Sequence, residues 1–377
     1  MRQILAASII GRLPIGITGL AILLFVQHAT GSFARGGAAT ACYVIGLAAM
    51  APALGRLIDR QGPRLTLAAS GLLFPAALSA LVLAVNQGAS AWVTLLLAGA
   101  AGTSFPPITA CMRTFFRQRL SDDALLSSAY SLESVLIESI FIVGPMLVAF
   151  FVAYASPAMA VVFSAVCGLL GTALFLRSPA LRSWRIEARA SASLLGPLGD
   201  RGFVALIGVI LCYSMAFGLI EIGLAAYASE RSNAALAGVL LGLMSAGSAL
   251  GGLAYGSRSW HYPLTHQFAG MLALMGAGLV VLSLPWATWA FATWCVFAGV
   301  VMAPALIIQS VLVAKTTRAE HVAEAFTWSA SALLSGVGMG VAAGGALLEY
   351  FRSPAVLAAA AGAALLAAAG ARLLKRA

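Results

Sequence analysis

The sequence predicts an all-α membrane protein whose twelve transmembrane helices form two pseudo-symmetric six-helix bundles. Three observations carry this expectation. Of 377 residues, 61% are hydrophobic and only 9% charged, where a soluble protein carries about a quarter charged residues. The apolar residues fall in runs of about 20, the length one helical crossing needs, separated by short basic links. Landmarks of the first half recur in the second at a nearly constant offset of 196 residues.

Twelve runs can be marked: 4–27, 38–58, 65–86, 91–112, 124–154, 157–176, 203–228, 234–256, 264–284, 287–314, 321–349 and 354–374. Each is expected to be helical, because backbone groups in lipid must be satisfied within the segment, and no alternating barrel pattern is present. Together they nearly exhaust the chain. The first bundle is expected over residues 1–176 and the second over 203–377. The link between them, 177–202, carries Arg177, Arg182, Arg185 and Arg189 and a Ser/Gly/Pro stretch around Ser191–Pro197. The first run is not a cleaved signal: Arg12 interrupts it, no small-x-small site follows, and another span comes next.

The net charge of +10 reads as topology rather than nucleic-acid binding, because the basic residues sit in the links and not on one face. With the N-terminus in the cytoplasm, eighteen of the 22 Lys and Arg residues fall on the cytoplasmic side. Arg35, Arg231 and Arg352 fall outside, and Arg12 lies within a span. This asymmetry places both termini in the cytoplasm.

The repeat rests on three correspondences. Gly55-Arg56-Leu57-Ile58 recurs as Gly251-Gly252-Leu253-Ala254, and Ala129-Tyr130-Ser131-Leu132 as Ala325-Phe326-Thr327-Trp328, both at an offset of 196. Pro106 or Pro107 answers Pro304 at 198 or 197. Parallel halves follow. The second copy of the first landmark has lost its charges: Tyr255 stands where Asp59 stands, and only Arg258 is basic nearby.

The link between runs 2 and 3 is Gly55-Arg56-Leu57-Ile58-Asp59-Arg60-Gln61-Gly62-Pro63-Arg64. It resembles the loop 2–3 signature of the major facilitator superfamily, G-x-L-a-D-R-x-G-R-K. Gly55, Leu57, Asp59, Arg60 and Gly62 match, Arg64 stands at the Lys/Arg position, and Pro63 replaces a basic residue. The resemblance implies the major facilitator fold and secondary transport by alternating access, in a bacterial inner (plasma) membrane. It also implies a gate in which Gly55, Asp59, Arg60, Gly62 and Arg64 lock the halves together through span 11, where an anion is favoured at the helix N-terminus. Gly144-Pro145 in span 5 partly resembles a longer Gly/Pro signature of family antiporters, with Met146-Leu147 in place of the expected glycines; it favours export. The fourth-helix arginine of many proton-coupled members is missing around Leu97–Ala100.

Ionisable groups inside spans are functional candidates by default. Arg12 lies in span 1, followed by Pro14, Gly16 and Gly19, which loosen a helix where it would line a cavity. Glu133 and Glu138 lie in span 5, about 140° apart around the helix, so they cannot share a face. Either could carry a proton, poised between apolar surroundings and a neighbouring arginine; the alternative is a structural ion pair. Glu221 lies in span 7. In the superfamily the first helix of each triplet lines a central cavity, which would set Glu221 and Arg12 across the pseudo-two-fold axis.

Weaker signals have two readings each. Gly336, Gly340 and Gly344 in span 11 permit close approach, at a rocking interface or in simple tight packing. Tyr43, Phe105, Tyr130, Tyr213, Phe217 and Trp328 could line an amphipathic cavity or pack. Cys42, Cys111, Cys167, Cys212 and Cys295 read as small core hydrophobes. Spans 3, 6, 9 and 12 hold no acidic residue and suit the lipid-facing periphery.

An intramembrane enzyme would need converging ligands or a nucleophile and base. His28, His261, His266 and His321 lie apart near helix ends, so no enzyme, metal or cofactor is expected. No phosphate-binding G-x-x-x-x-G-K-[ST] loop occurs, which argues against ATP as the energy source. The expected partners are a small amphipathic substrate, protons and the lipid bilayer, with no nucleic acid, and the chain is expected to act as a monomer. The favoured activity is proton-coupled export of a drug-like compound, sugar or metabolite. The rivals are a proton-coupled importer and a passive or lipid-handling protein of the same fold.

Overall fold

A computed structural model describes residues 2–119, 123–178, 196–258, 260–317 and 322–374. Among them run fourteen helices: α1 (Arg2–Thr30), α2 (Phe33–Gln61), α3 (Pro63–Asn86), α4 (Ala91–Thr103), α5 (Ile108–Arg119), α6 (Asp123–Tyr154), α7 (Pro157–Arg177), α8 (Arg201–Glu230), α9 (Leu236–Gly256), α10 (Leu264–Leu282), α11 (Thr288–Gly299), α12 (Met302–Thr316), α13 (Val322–Leu347) and α14 (Ser353–Leu373). They supply twelve stretches long and apolar enough to cross a membrane.

Fourteen helices make twelve spans because spans 4 and 10 are each broken into two pieces, α4/α5 and α11/α12. In span 4 the cause is Pro106-Pro107. Two consecutive residues lack an N–H, and the residue before a proline is pushed out of the α region. The missing N–H groups of Pro106 and Pro107 would have served the carbonyls of Gly102 and Thr103; Gly102 O is taken instead by the Phe105 amide at 3.2 Å. In span 10 the break falls at Val300–Val301, and Pro304 is the third residue of α12, where its missing N–H has no intrahelical partner to lose. Pro14, Pro52, Pro75 and Pro145 lie inside helices that continue through them.

The chain divides into two compact units. The N-terminal unit holds Met1–Gly31 and Cys42–Ala190, and the C-terminal unit holds Ser191–Ala377 together with Ser32–Ala41. The first turns of α2 therefore pack with the C-terminal unit. There a Cβ on Gly37 would fall 2.7 Å from Val341 O, one on Gly345 would fall 2.8 Å from Phe33 O, and the Ser32 hydroxyl donates to Glu349 Oε1 at 2.8 Å.

Within each unit the helices cross where glycine removes the side chain, the usual solution in lipid, where packing rather than water exclusion drives association. In the N-terminal unit Gly11 of α1 meets Gly171 of α7, Gly16 of α1 meets Gly144 of α6, and Gly102 of α4 meets the Tyr43 carbonyl of α2. In the C-terminal unit Gly340 of α13 meets Met215 of α8, and Gly299 of α11 meets Met244 of α9.

These crossings correct the register of the repeat. Gly102–Tyr43 and Gly46–Gly99 are matched by Gly299–Met244 and Gly247–Val296, an offset of 197 for spans 4 and 10 but 201 for spans 2 and 8. Helix starts agree, with Leu264 of α10 standing 201 residues after Pro63 of α3. The counterpart of Gly55 is therefore Gly256, not Gly251. Both Gly55 and Gly256 face open space, whereas a Cβ on Gly251 would lie 1.7 Å from Val300 O.

The link 55–64 is also more helical than the sequence suggests. Helix α2 continues to Gln61, and Gly62 alone separates it from α3, at φ +79°. That left-handed conformation favours glycine, and Pro63 then fits the first helical position.

Candidate functional site

In the N-terminal unit the candidate residues gather around α1. Arg12 is 2% exposed and engaged in an interaction. One turn further on, Gly16 brings α1 against α6, so closely that a Cβ on Gly16 would lie 2.5 Å from Ile140 O and one on Gly144 2.6 Å from Gly16. The Gly144-Pro145 pair, both buried, thus has a direct structural use: Gly144 is the seat for α1. On the other flank Thr18 Oγ1 lies 2.6 Å from Ser164 Oγ of α7 and donates to Pro14 O at 2.8 Å.

This crossing separates the two span-5 carboxylates by position. Seven residues, close to two full turns, separate Glu133 from Ile140. By sequence position alone, Glu133 is therefore about 20° from Ile140 around an ideal helix. Glu138 falls about 160° from Ile140. Both belong to α6 by backbone; their side chains lie outside the described residues, as does that of Tyr130.

In the C-terminal unit α8 packs against α13, α14, α9 and α12. Residues 222–228 are all buried, and so are 218–220, but Glu221 is only half-buried, as is Phe217 one turn before it. Glu221 is thus on a stripe of α8 left partly uncovered. Its carboxylate has no hydrogen bond or ion pair among the described residues. It lies about 8 Å past the midpoint of its helix, counting 1.5 Å per residue, and Arg12 about 6 Å before the midpoint of α1. The two are not equivalent in the repeat. The crossings Gly16–Gly144 and Met215–Gly340 give an offset of 199 for these spans, and Gly16–Ile140 and Gly218–Val337 give 202, whereas Arg12 and Glu221 stand 209 apart.

A polar network in this unit escaped the reading of the sequence. The Tyr213 hydroxyl of α8 donates to Gln309 Oε1 of α12, and Gln309 Nε2 donates to Ser329 Oγ of α13 at 2.8 Å. All three are buried, Tyr213 completely. The signal was a lone glutamine inside an apolar run, overlooked because it carries no charge. Tyr213 is therefore a packing and hydrogen-bonding residue rather than cavity lining, set edge-on to Phe217 and Phe268 with centroids 5.4 and 5.8 Å away. Tyr43 and Phe105 are buried too, Phe105 edge-on to Phe74 at 5.2 Å.

The glycine stripe of span 11 resolves the same way. Gly336, Gly340 and Gly344 all meet α8, through Ser214, Met215 and Ile222, so the stripe is tight packing inside the C-terminal unit. Of the gate residues, Gly55 is open, Arg60 and Arg64 are exposed and Gly62 makes the turn. The Asp59 side chain lies outside the described residues, as do residues 318–321 ahead of α13. Cys111, Cys167 and Cys295 are buried and all five cysteines are free. No group of three or more His, Cys, Asp or Glu that could hold a metal occurs among the described residues.

The family model described as Major Facilitator Superfamily matches residues 4–257. No curated protein sequence matches. Among solved structures, a mutant of the nucleoside transporter NupG is similar over 99% of both chains, with a TM-score of 0.74 and 16% identity. NupG itself gives a TM-score of 0.69 at 15% identity, again over 99% of both chains. A mutant of the peptide transporter POT gives 0.70 at 16%, over 99% of this chain and 95% of that one. At these identities the likeness is one of fold.

Proposed function

The chain belongs to the major facilitator superfamily of secondary transporters, and on that premise we propose that it couples proton movement to the export of a small amphipathic molecule. The observation that carries this reading is Glu221. An acid inside a span is costly unless it is paired or reached by water. Glu221 has no partner among the described residues and sits on the partly uncovered stripe of α8 beside Phe217. A carboxyl group so placed is neutral when apolar surroundings close on it and charged when water reaches it. That alternation is what a carrier needs to make a proton travel with, or against, its cargo.

Arg12 and Glu133 supply the second element. Arg12 is buried on the α1 stripe that meets α6, and Glu133 stands seven residues, close to two full turns, before Ile140 in α6. We assign Glu133 rather than Glu138 to proton handling in this half. Gly55, Asp59, Arg60, Gly62 and Arg64 are assigned to gating, because they belong to the end of α2, the single-residue turn and the first turn of α3. The halves so defined are residues 1–176 and 203–377, joined on the cytoplasmic side. Export is supported by Gly144-Pro145, and an amphipathic cargo by the apolar–acidic pairing of Phe217 with Glu221.

The test begins with a thermal-shift screen of purified protein against drugs, sugars, amino acids and lipids, to name a cargo. Uptake of that cargo into everted vesicles under an imposed pH gradient then reads direction and coupling. Glu221→Gln is expected to abolish proton-driven accumulation while retaining exchange of cargo for cargo, which needs no net proton. Undiminished proton-driven accumulation in this variant would remove Glu221 from the mechanism. Accumulation only in right-side-out vesicles would make the protein an importer.

A further inference from the structure

The turn between α9 and α10 occupies the place that the charged loop motif holds in the first half, yet it is far from a degenerate copy. Tyr255, at the end of α9, stacks on Trp260 with centroids 5.2 Å apart and planes 16° from parallel. The Trp260 indole N–H donates to Tyr255 O at 3.0 Å. The Tyr255 hydroxyl donates to Gln267 Oε1, and Gln267 Nε2 donates to Tyr262 O at 2.6 Å. Two side chains of the helix ends thus tie the turn down from both sides.

What this clasp presents outward is aromatic and basic. Trp260 is 42% exposed and Tyr262 73%, and Arg258, His261 and His266 are exposed around them. No aspartate or glutamate occurs anywhere between Glu230 and Glu320, so the turn carries positive character with no acid of its own segment to neutralise it. Arg258 makes no ion pair among the described residues. Behind the turn, toward the centre of α9, Leu250 and Leu253 are 62% and 70% exposed. Exposed hydrocarbon, amphipathic rings and cations thus occur together at this end of α9, the three chemistries that a phospholipid presents from acyl chain to phosphate. Trp and Tyr favour that boundary because one end of the ring is apolar and the other can hydrogen-bond. A guanidinium adds a forked donor matched to phosphate oxygens.

We propose that residues 255–267 are a docking site for the headgroup of an anionic phospholipid, in the leaflet that the adjoining ends of α9 and α10 reach. Arg258 and His261 take the phosphate, Trp260 and Tyr262 bracket the glycerol region, and Leu250 and Leu253 carry the acyl chain.

The experiment uses full-length protein in neutral detergent, titrated with phosphatidylglycerol, phosphatidylcholine or soluble glycerol phosphate. Retained lipid is counted by native mass spectrometry, and apparent Tm is read in parallel. Phosphatidylglycerol is expected to bind and raise Tm, and the other two to do neither. Arg258→Gln should weaken phosphatidylglycerol retention on the order of fivefold, the worth of one basic residue near a charged surface. Arg258→Lys should keep most of it, and Arg372→Gln, an exposed arginine on α14, should change nothing. Equal retention of phosphatidylcholine, or an equal loss in Arg372→Gln, would overturn the proposal by showing nonspecific adsorption. Unchanged retention in Arg258→Gln would overturn it directly. A Tm rise with glycerol phosphate alone would show a free-anion site instead.

Discussion

Gly102→Ala is the sharpest probe of how the broken span 4 is held. A Cβ at Gly102 would stand 1.9 Å from Tyr43 O, 2.8 Å from the Tyr43 carbonyl carbon and 2.9 Å from Leu47 N. All three are backbone atoms, so no rotamer change can make room. Restoring ordinary contact near 3.4 Å requires α4 and α2 to part by about 1.5 Å locally. A gap of that order forfeits a large share of the dispersion contacts along the seam. Overpacking of this kind costs about 1–3 kcal/mol, and the unyielding neighbours argue for the upper part of that range. Alanine gains up to about 1 kcal/mol over glycine in helix propensity, so the net loss is about 2 kcal/mol, a factor of about 30 in the folded population. One turn away on the same helix, a Cβ at Gly99 would meet only Cys42 O, at 3.9 Å. Gly99→Ala should therefore be neutral or slightly stabilising. The assay is apparent Tm in detergent by fluorescence-detected size exclusion, at one heating rate because membrane-protein unfolding is commonly irreversible. If Gly102→Ala melts with the wild type, or if Gly99→Ala falls as far, the crossing does not hold span 4 as described.

Two further outcomes are expected. Gln309→Leu leaves the buried hydroxyls of Tyr213 and Ser329 without their partner and should cost about 1–3 kcal/mol, whereas the triple replacement Tyr213→Phe/Gln309→Leu/Ser329→Ala should recover most of that loss; apparent Tm distinguishes the two, and a triple variant no better than the single would refute the network's role. Arg12→Ala should abolish proton-driven uptake into everted vesicles with the protein still folded, and Arg12→Lys should restore it incompletely because an ammonium lacks the planar fork of donors; wild-type uptake in Arg12→Ala would exclude it from the mechanism.

Several features were legible before any coordinates. The twelve crossings follow from composition, since apolar runs of this length have no other stable arrangement in lipid. The motif around Asp59 pointed to the superfamily, and the family match over residues 4–257 agrees. Other features were not. Nothing in the residues alone said that Gly336, Gly340 and Gly344 press on α8, because a small-residue stripe shows that a close approach is possible but not which helix makes it. Gln309 was invisible because an uncharged amide draws attention only once its two partners are seen. Spans 2 and 8 read at an offset of 196 in the sequence because Gly-rich helices offer many false alignments, and the crossings Gly299–Met244 and Gly247–Val296 show that these spans are shifted by five residues.

The linear chain by itself determined that the molecule lives in a bilayer and how often it crosses, because the cost of exposing peptide groups to hydrocarbon leaves one solution for each apolar run. Tertiary structure decided which stripe of each helix is covered. That choice leaves Glu221 half open while closing Tyr213, and turns the α9–α10 link into a clasp. The physical reason is that helix phase is set where backbones touch, at Gly16, Gly102, Gly299 and Gly340, and a contact between residues far apart in sequence cannot be read from either one alone.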